Sequence, residues 1–350
     1  MNLNARRQRR RVAWLAGTLA ALSLVIAARQ PATAARAQTR GAARVQPRPR
    51  LTPGVVMRYQ IEVQSTSDTS HSGAVQDPQG PSHLIVTWNA TIRMEALSGN
   101  AAVSATAPPG SIRLRTTYEK SSAVVSSDTP DPQAEATEQQ YDKLEGQSIE
   151  FTVLPGGGVS DVSGLSDILT DEKARSAVEQ WIKQISAGVG TPTQGIIPGQ
   201  TWSVDEPADT LPLAGMVWRT NSTYLQNEPC RSVDPVGTTT AQDGETCAVI
   251  LTRLSLVTVR KMHDPTPDAY LKNGVHTTGH WSSSGESMNY VSLRNGWVVN
   301  VTQNGSEQMD VTFTNSSGVA VRYSGTVGTH TTVSLLPSAT PAASSGSASQ

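Results

Sequence analysis

The chain is 350 residues long, 37% hydrophobic and 16% charged, with a net charge of −1 at neutral pH. That balance by itself says nothing about polyanionic partners, but the positive charge is front-loaded, at Arg6 to Arg11 and Arg36 to Arg50, which leaves the body mildly acidic, so no nucleic-acid partner is expected. The length suffices for one large or two modest domains with a buried core, and beyond the N-terminal region no stretch is apolar enough to span a membrane.

Residues 1–37 read as an export signal. The basic block ARRQRRR precedes the apolar run Val12–Ala28, and small residues offer cleavage after Ala34 or Ala37. Left uncleaved, the 17 residues of that run would nearly span a bilayer, the one route to membrane association. Either way the protein is expected to be exported, periplasmic or extracellular. Residues 38–50 contain Pro and Arg and read as a disordered linker, 51–336 as a single β-rich domain, and 337–350 as a disordered low-complexity tail.

Period-two alternation dominates the body. Met57, Tyr59, Ile61 and Val63 alternate with Arg58, Gln60, Glu62 and Gln64. Leu84, Val86, Trp88, Ala90, Ile92, Met94 and Ala96 alternate with polar residues in the next segment, and Ile112, Leu114, Thr116 and Tyr118 follow the same rule. Strands with one wet face are the mark of antiparallel pairing. The segment SDTPDPQAEATEQQ reads as a loop. Ile149, Phe151 and Val153 then alternate before PGGG, with Val159 and Val162 after it. Three adjacent glycines invite a phosphate-loop reading, but the Lys and Ser/Thr of that motif are missing, so the stretch is expected to be a hairpin turn.

One helix is expected, over LTDEKARSAVEQWIKQISAGVG, where Val178, Trp181, Ile182 and Ile185 share a face. Strands are expected again at Val217–Gln226, Cys247–Arg260, Val275–Ser284, Glu286–Leu293, Trp297–Gln303, Gln308–Thr314, Val319–Gly325 and Thr331–Leu336. RNG, QNGS and TNSSG separate the later ones as turns of a hairpin meander. Cys230 and Cys247 are the only cysteines, with no histidine nearby, and are expected to form a disulfide worth about 3 kcal/mol in the loop-entropy model.

The chemistry tests exclude more than they find. There is no G-x-S-x-G elbow or S-x-x-K pair for nucleophilic hydrolysis. His280, Ser282, Ser283, Ser284 and Glu286 bring hydroxyl, imidazole and carboxylate close in sequence, but alternation in a strand reads them as a polar face. His276 and His280 would stand about 13 Å apart on a strand, too far to chelate one ion. No catalytic residue, metal or cofactor is expected. Five N-x-[ST] triplets, at Asn89, Asn221, Asn300, Asn304 and Asn315, are formal glycosylation acceptors.

The expected fold is mainly β (α+β): a large curved antiparallel sheet or half-barrel of long strands with one main covering helix. Eight or more strands of about 13 residues make a sheet close to 40 Å in each direction, which a helix about 10 Å across cannot cover. The apolar face must curl, pack on a second sheet, or enclose something greasy. Candidate walls of such a cavity are Met57, Tyr59, Ile61, Val86, Trp88, Ile92, Leu114, Phe151, Val153, Trp181 and Ile185.

The blocks LTPGVVMRYQIEVQ, LEGQSIEFTVLPGGGVSDVSGL, EQWI and GIIPGQTWSV resemble a group of uncharacterised secreted bacterial proteins. These in turn resemble the half-barrel carriers of lipoproteins, whose curved sheet holds acyl chains. The resemblance implies a non-enzymatic protein with a hydrophobic small molecule or lipid as ligand. An envelope protein partner, a structural or adhesion-like role and an unrecognised hydrolase are the alternatives.

Overall fold

The computed structural model describes residues 44–337, apart from 48–49, 51, 75–81, 98–106, 129–133, 156–158, 169–190, 193, 210, 234–238 and 261. The export signal, the C-terminal tail beyond residue 337 and the expected helix with Trp181 and Ile185 lie outside the described residues. Part of the presumed linker is tied down: Val45 bridges to Ile196, and the Arg44 guanidinium donates to the Gly195 carbonyl at 2.9 Å.

The fold is mainly β. Its elements are β1 (Val56–Gly73), β2 (Ser82–Ala96), β3 (Ile112–Ser127), α1 (Ala134–Asp142), β4 (Ser148–Val153), β5 (Val159–Ser163), α2 (Leu165–Ile168), β6 (Thr201–Pro207), β7 (Met216–Val233), β8 (Thr239–Thr258), α3 (Asp268–Leu271), β9 (Val275–Ser292), β10 (Val298–Asn315) and β11 (Ala320–Leu335). All strands join one curved, open 11-stranded sheet in the order β5-β4-β3-β2-β1-β11-β10-β9-β8-β7-β6. Every ladder is antiparallel. Two meanders, β1–β5 and β6–β11, are thus welded by the pairing of the first strand with the last.

Register carries the sequence alternation across this seam. Ile61 lies opposite Ala90 on one side and Val333 on the other, and Val333 lies opposite Val301. One face therefore collects Met57, Tyr59, Ile61 and Val63 with the even positions of β2, while Arg58, Glu62 and Gln64 point away. The hairpin expected around PGGG forms between β4 and β5.

Three expectations need correction. RNG and TNSSG do turn the chain, but the segments expected as separate strands between them merge: Val275–Ser284 and Glu286–Leu293 fall in β9, Trp297–Gln303 and Gln308–Thr314 in β10, each of 18 residues, and Val319–Gly325 and Thr331–Leu336 in β11, of 16. Gly305, read as part of a QNGS turn, pairs with Gly285 in mid-ladder, where a residue without a side chain leaves room instead of reversing the chain. The third correction is α1, which occupies the second half of the segment expected as a loop; its residues are good helix formers, and Tyr141 near its end packs on the sheet.

The disulfide Cys230–Cys247 is formed, with Cα atoms 4.9 Å apart. Both cysteines are fully buried against Val299, with Tyr290 and Leu335 alongside. β7 and β8 run past the end of β9 here, and β7 reaches β10 and β11 beyond its ladder neighbours.

Candidate ligand-binding face

The inward face of the sheet carries three apolar patches. The first spans β1–β5: Met57, Tyr59, Ile61, Trp88, Ile92, Leu114, Phe151 and Val153 belong to one buried cluster, closed by Leu165 of α2 and by Trp297. Val86 is buried on the same face just outside it. Nine of the eleven residues named from sequence as walls are thus buried together on one face, and the other two lie outside the described residues. Burial raises the Tyr59 phenol far above its ordinary value and pushes Tyr118 up to about 12. Tyr141 also rises to about 12, through burial first and the neighbouring Tyr118 second.

The second patch gathers Trp218, Leu256, Trp281, Met309, Val311 and Phe313 under the segment Ala208–Leu213. The third gathers Tyr224, Ala248, Ile250 and Val291 with Ile196 and Trp202. Neither patch was assembled from sequence. Alternation in β7–β10 marked their members as strand residues, but only the registers of the β7–β8 and β8–β9 ladders place Trp218 and Trp281 on one side.

Between the patches the inward positions of the central strands alternate small with larger residues: β9 presents Gly279, Ser283, Gly285 and Ser287 beside Trp281, β10 presents Gly305 between Gln303 and Glu307, and β11 presents Gly325, Thr329 and Thr331 beside Val327. Ser65 and Ser67 of β1 continue this strip and are buried. Two of the glycines are required by the backbone. A Cβ on Gly279, whose φ is 135°, would collide with the Asp310 carbonyl, and one on Gly325 with that of Asp68. The result is a strip of small residues and hydroxyls between apolar patches, in which Ser65, Ser67, Ser283, Thr329 and Thr331 are buried.

Among the described residues four buried side-chain groups have no hydrogen-bond partner: the indole Nε1 of Trp281 and of Trp297, and the hydroxyls of Thr116 and Thr331. Charge divides by face as well. Arg58, Arg93, Arg115, Arg253 and Arg322 all fall on the outward side, and no inward position of β1–β4 or β8–β11 carries a lysine or arginine. Glu307 is the one inward carboxylate of those strands.

The outward face is polar and internally paired. Arg253 holds Glu286 at 2.7 Å, and Arg322 grips both oxygens of Asp310. Arg322 holds the Asp310 carboxyl below its ordinary value, aided by the nearby His280. His280, Ser282, Ser284 and Glu286 stand in a row on this outward face, while Ser283 is buried inward. His276 pairs with Asp264 at 3.0 Å, not with His280. Among the described residues no three His, Cys, Asp or Glu side chains gather closely enough to hold a metal ion. Asn89, Asn221, Asn300 and Asn304 also point outward.

No family model and no curated protein matches the sequence. Solved structures that resemble it include lipovitellin, described for its lipid–protein interactions, at 9% identity and a TM-score of 0.41. That match covers 84% of this chain but 26% of the lipovitellin chain, so the protein spans about a quarter of that molecule. DynF from the dynemicin biosynthesis pathway of Micromonospora chersina matches at 9% identity over 89% of this chain and 95% of its own, with a TM-score of 0.17. An outer-membrane channel from Pseudomonas putida F1 matches at 9% identity over 82% and 97%, with a TM-score of 0.22. All of these TM-scores are low, and the chain's own residues carry the functional reading.

Proposed function

We propose that this protein is a non-enzymatic binding protein of an extracytoplasmic compartment, and that it holds a hydrophobic or amphipathic ligand, a lipid or acyl chain, against the inward face of its sheet. The observation that carries this reading is the extent of the inward face: three apolar patches lie on one curved, open sheet that the helices among the described residues do not span. An 18-residue strand is about 60 Å long and 11 strands are about 50 Å wide. Against that area the three helices among the described residues have nine, four and four residues. Together they cover about 25 Å of helix length. The leader-like N terminus and the formed disulfide are compatible with an oxidising, extracytoplasmic location.

The test is native mass spectrometry of the full chain purified without detergent, paired with Nile red uptake. Co-purifying lipid, or saturable dye fluorescence that added lipid displaces, is the expected result. Protein that carries no lipid and takes up no dye would sink the reading.

A further inference from the structure

Positive charge in this chain is concentrated ahead of the sheet. Residues 1–61 hold twelve of the 28 lysines and arginines and none of the 29 acidic residues, the first of which is Glu62. The remaining 289 residues therefore set 16 basic side chains against 29 acidic ones. Arg36, Arg40, Arg44, Arg48 and Arg50 recur through the stretch that joins the apolar run Val12–Ala28 to β1.

The structure fixes where the last of this charge sits. The Val45 N–H donates to the Ile196 carbonyl at 2.9 Å, and Ile196 returns the bond at 2.8 Å. The Arg44 guanidinium holds the Gly195 carbonyl at 2.9 Å, and the Arg50 N–H donates to the Asn295 carbonyl at 2.6 Å. A side chain at Gly195, whose φ is 80°, would put its Cβ 2.8 Å from the Val45 carbonyl, so the seat is shaped to this stretch. Val45 packs with Trp202, Leu293 and Val298, and Pro47 is buried. Arg44 and Arg50 stay exposed, and so does Arg294 in the β9–β10 turn that receives Arg50. The stretch thus crosses the end of the sheet at which β1 and β10 begin and β11 ends. The β7–β8 hairpin at this end is charge-mixed: Arg231 is exposed, Glu228 accepts from Gln226, Glu245 accepts from Ser292, and β8 carries Asp243. The one-signed part is the seated stretch with its turn.

A one-signed arginine cluster recognises phosphate, and the sequence separates the two common polyphosphate surfaces. Single-stranded nucleic acid is held on aromatic platforms and duplex by an element that enters a groove. Residues 15–58 contain no aromatic side chain or histidine, and the described part of the stretch forms one isolated bridge and no helix. The acidic remainder of the chain repels a polyanion that wraps it, which leaves an end-on contact with a broad surface. The stretch also follows a run apolar enough nearly to span a bilayer, so the anionic surface beside it at export is a membrane.

We infer that the end of the sheet bearing Arg44, Arg50 and Arg294 docks on an anionic lipid bilayer, its guanidinium groups against headgroup phosphates. This goes beyond the ligand-binding reading and does not depend on it, and it gives the protein a route to a membrane that needs no inserted apolar run.

The test is hydrogen exchange of the full-length oxidised protein on two kinds of vesicle, phosphatidylcholine alone and phosphatidylcholine with one third phosphatidylglycerol. The apolar run, where retained, enters both, so the difference between them reads the arginines. Amides of Arg44–Gln46 and Asn295–Trp297 are expected to exchange more slowly on the anionic vesicles in dilute buffer. That protection is expected to vanish at about 0.5 M salt, where the screening length shrinks to about 4 Å. Each arginine near such a surface strengthens attachment roughly fivefold, so in Arg50→Gln/Arg294→Gln the lipid concentration for half protection is expected to rise about 30-fold. Arg50→Lys/Arg294→Lys, which keeps the charge, is expected to stay within about threefold of wild type. Equal exchange on the two vesicles, protection that survives high salt, an unmoved half-point in the Gln variant, or a Lys variant as weak as the Gln variant each overturns the inference. So does stronger protection by a short DNA duplex than by the anionic vesicles, which would make the cluster a nucleic-acid contact. Wild type that docks but takes up no Nile red fails the ligand-binding reading alone and leaves the docking surface standing.

Discussion

Arg113 holds the β3–β5 corner together. Its guanidinium is 10% exposed and donates to Glu150 at 3.3 Å, Thr152 at 3.3 Å, Ser163 at 2.6 Å and the Asp161 carbonyl. Asp161 sits at a φ of 52°, and that bond fixes its carbonyl. Burial works to raise the Glu150 pKa, but the hydrogen bonds and charges of Arg115 and Arg113 together outweigh it and hold the carboxyl below its ordinary value. Replacing Arg113 with Met removes its hydrogen bonds to Thr152, Ser163 and the Asp161 carbonyl and leaves Glu150 with Arg115 alone, and urea denaturation is expected to show a loss of roughly 2–4 kcal/mol. An unchanged midpoint would mean that water replaces the guanidinium. On the inward face the tyrosines make a pH prediction. Tyr118 and Tyr141 titrate at about 12 in the folded protein against an ordinary 10.0. A raised folded value means that the folded state holds its proton more tightly, so the associated stability is complete below pH 10 and lost as pH climbs through 12. Absorbance at the phenolate band should lag for these two residues until the protein unfolds; early, reversible titration of all tyrosines would contradict their burial.

At the scale of elements, one hydroxyl fastens α1 to the sheet. Trp88 Nε1 donates to Ser121 Oγ at 3.0 Å, and Ser121 donates onward to the Tyr141 carbonyl at 2.6 Å, beneath Trp88 and Tyr141 rings 5.4 Å apart. Ser121→Ala orphans the Trp88 indole and takes one of two donors from the Tyr141 carbonyl, which also accepts from the Leu144 N–H, with an expected cost of about 1–3 kcal/mol and faster hydrogen exchange confined to Ala134–Asp142. Exchange that quickens evenly across the sheet would count against this local role. The β7–β8 hairpin is the second such element. Replacing both cysteines with Ala is expected to cost about 2–4 kcal/mol, and equal urea midpoints for the oxidised wild type and the double variant would show that the Val299 packing alone suffices. These elements also show what could be read from sequence. Leu84–Ala96 alternates without interruption, so its strand and buried side were legible, as were the PGGG hairpin and the cysteine pair. β9 and β10 were not, because the glycines and serines of the strip between the patches have the local chemistry of turns; what keeps Gly285 and Gly305 extended is each other's ladder. Trp281 gave no signal of its own, since a tryptophan in a strand looks the same whether or not its N–H is met.

For the whole molecule the decisive contact is the β1–β11 ladder, which runs from Tyr59↔Leu335 to Gly73↔Val321. Nothing local in the sequence announces it. Val333 and Leu335 of β11 pack on the β1–β5 cluster, so the last strand belongs energetically to both meanders. Deleting Ala320–Leu335 should therefore replace a single cooperative urea transition by two weaker ones or by none; one transition at an unchanged midpoint would show that the meanders do not depend on their seam. Pairing across so long a separation also predicts slow folding, because closure entropy is spent before the contact forms.

The same seam sets an order on assembly. In a chain made from its N terminus, β1 waits unpartnered on one side until the final strand arrives. The continuous inward face, shared across the seam by Ser65 and Thr329, does not exist before then. A nascent chain halted short of Ala320 has two separate walls and nothing joining them. On the binding proposal above, a ligand lying across the seam would be taken up only by the completed fold, after synthesis.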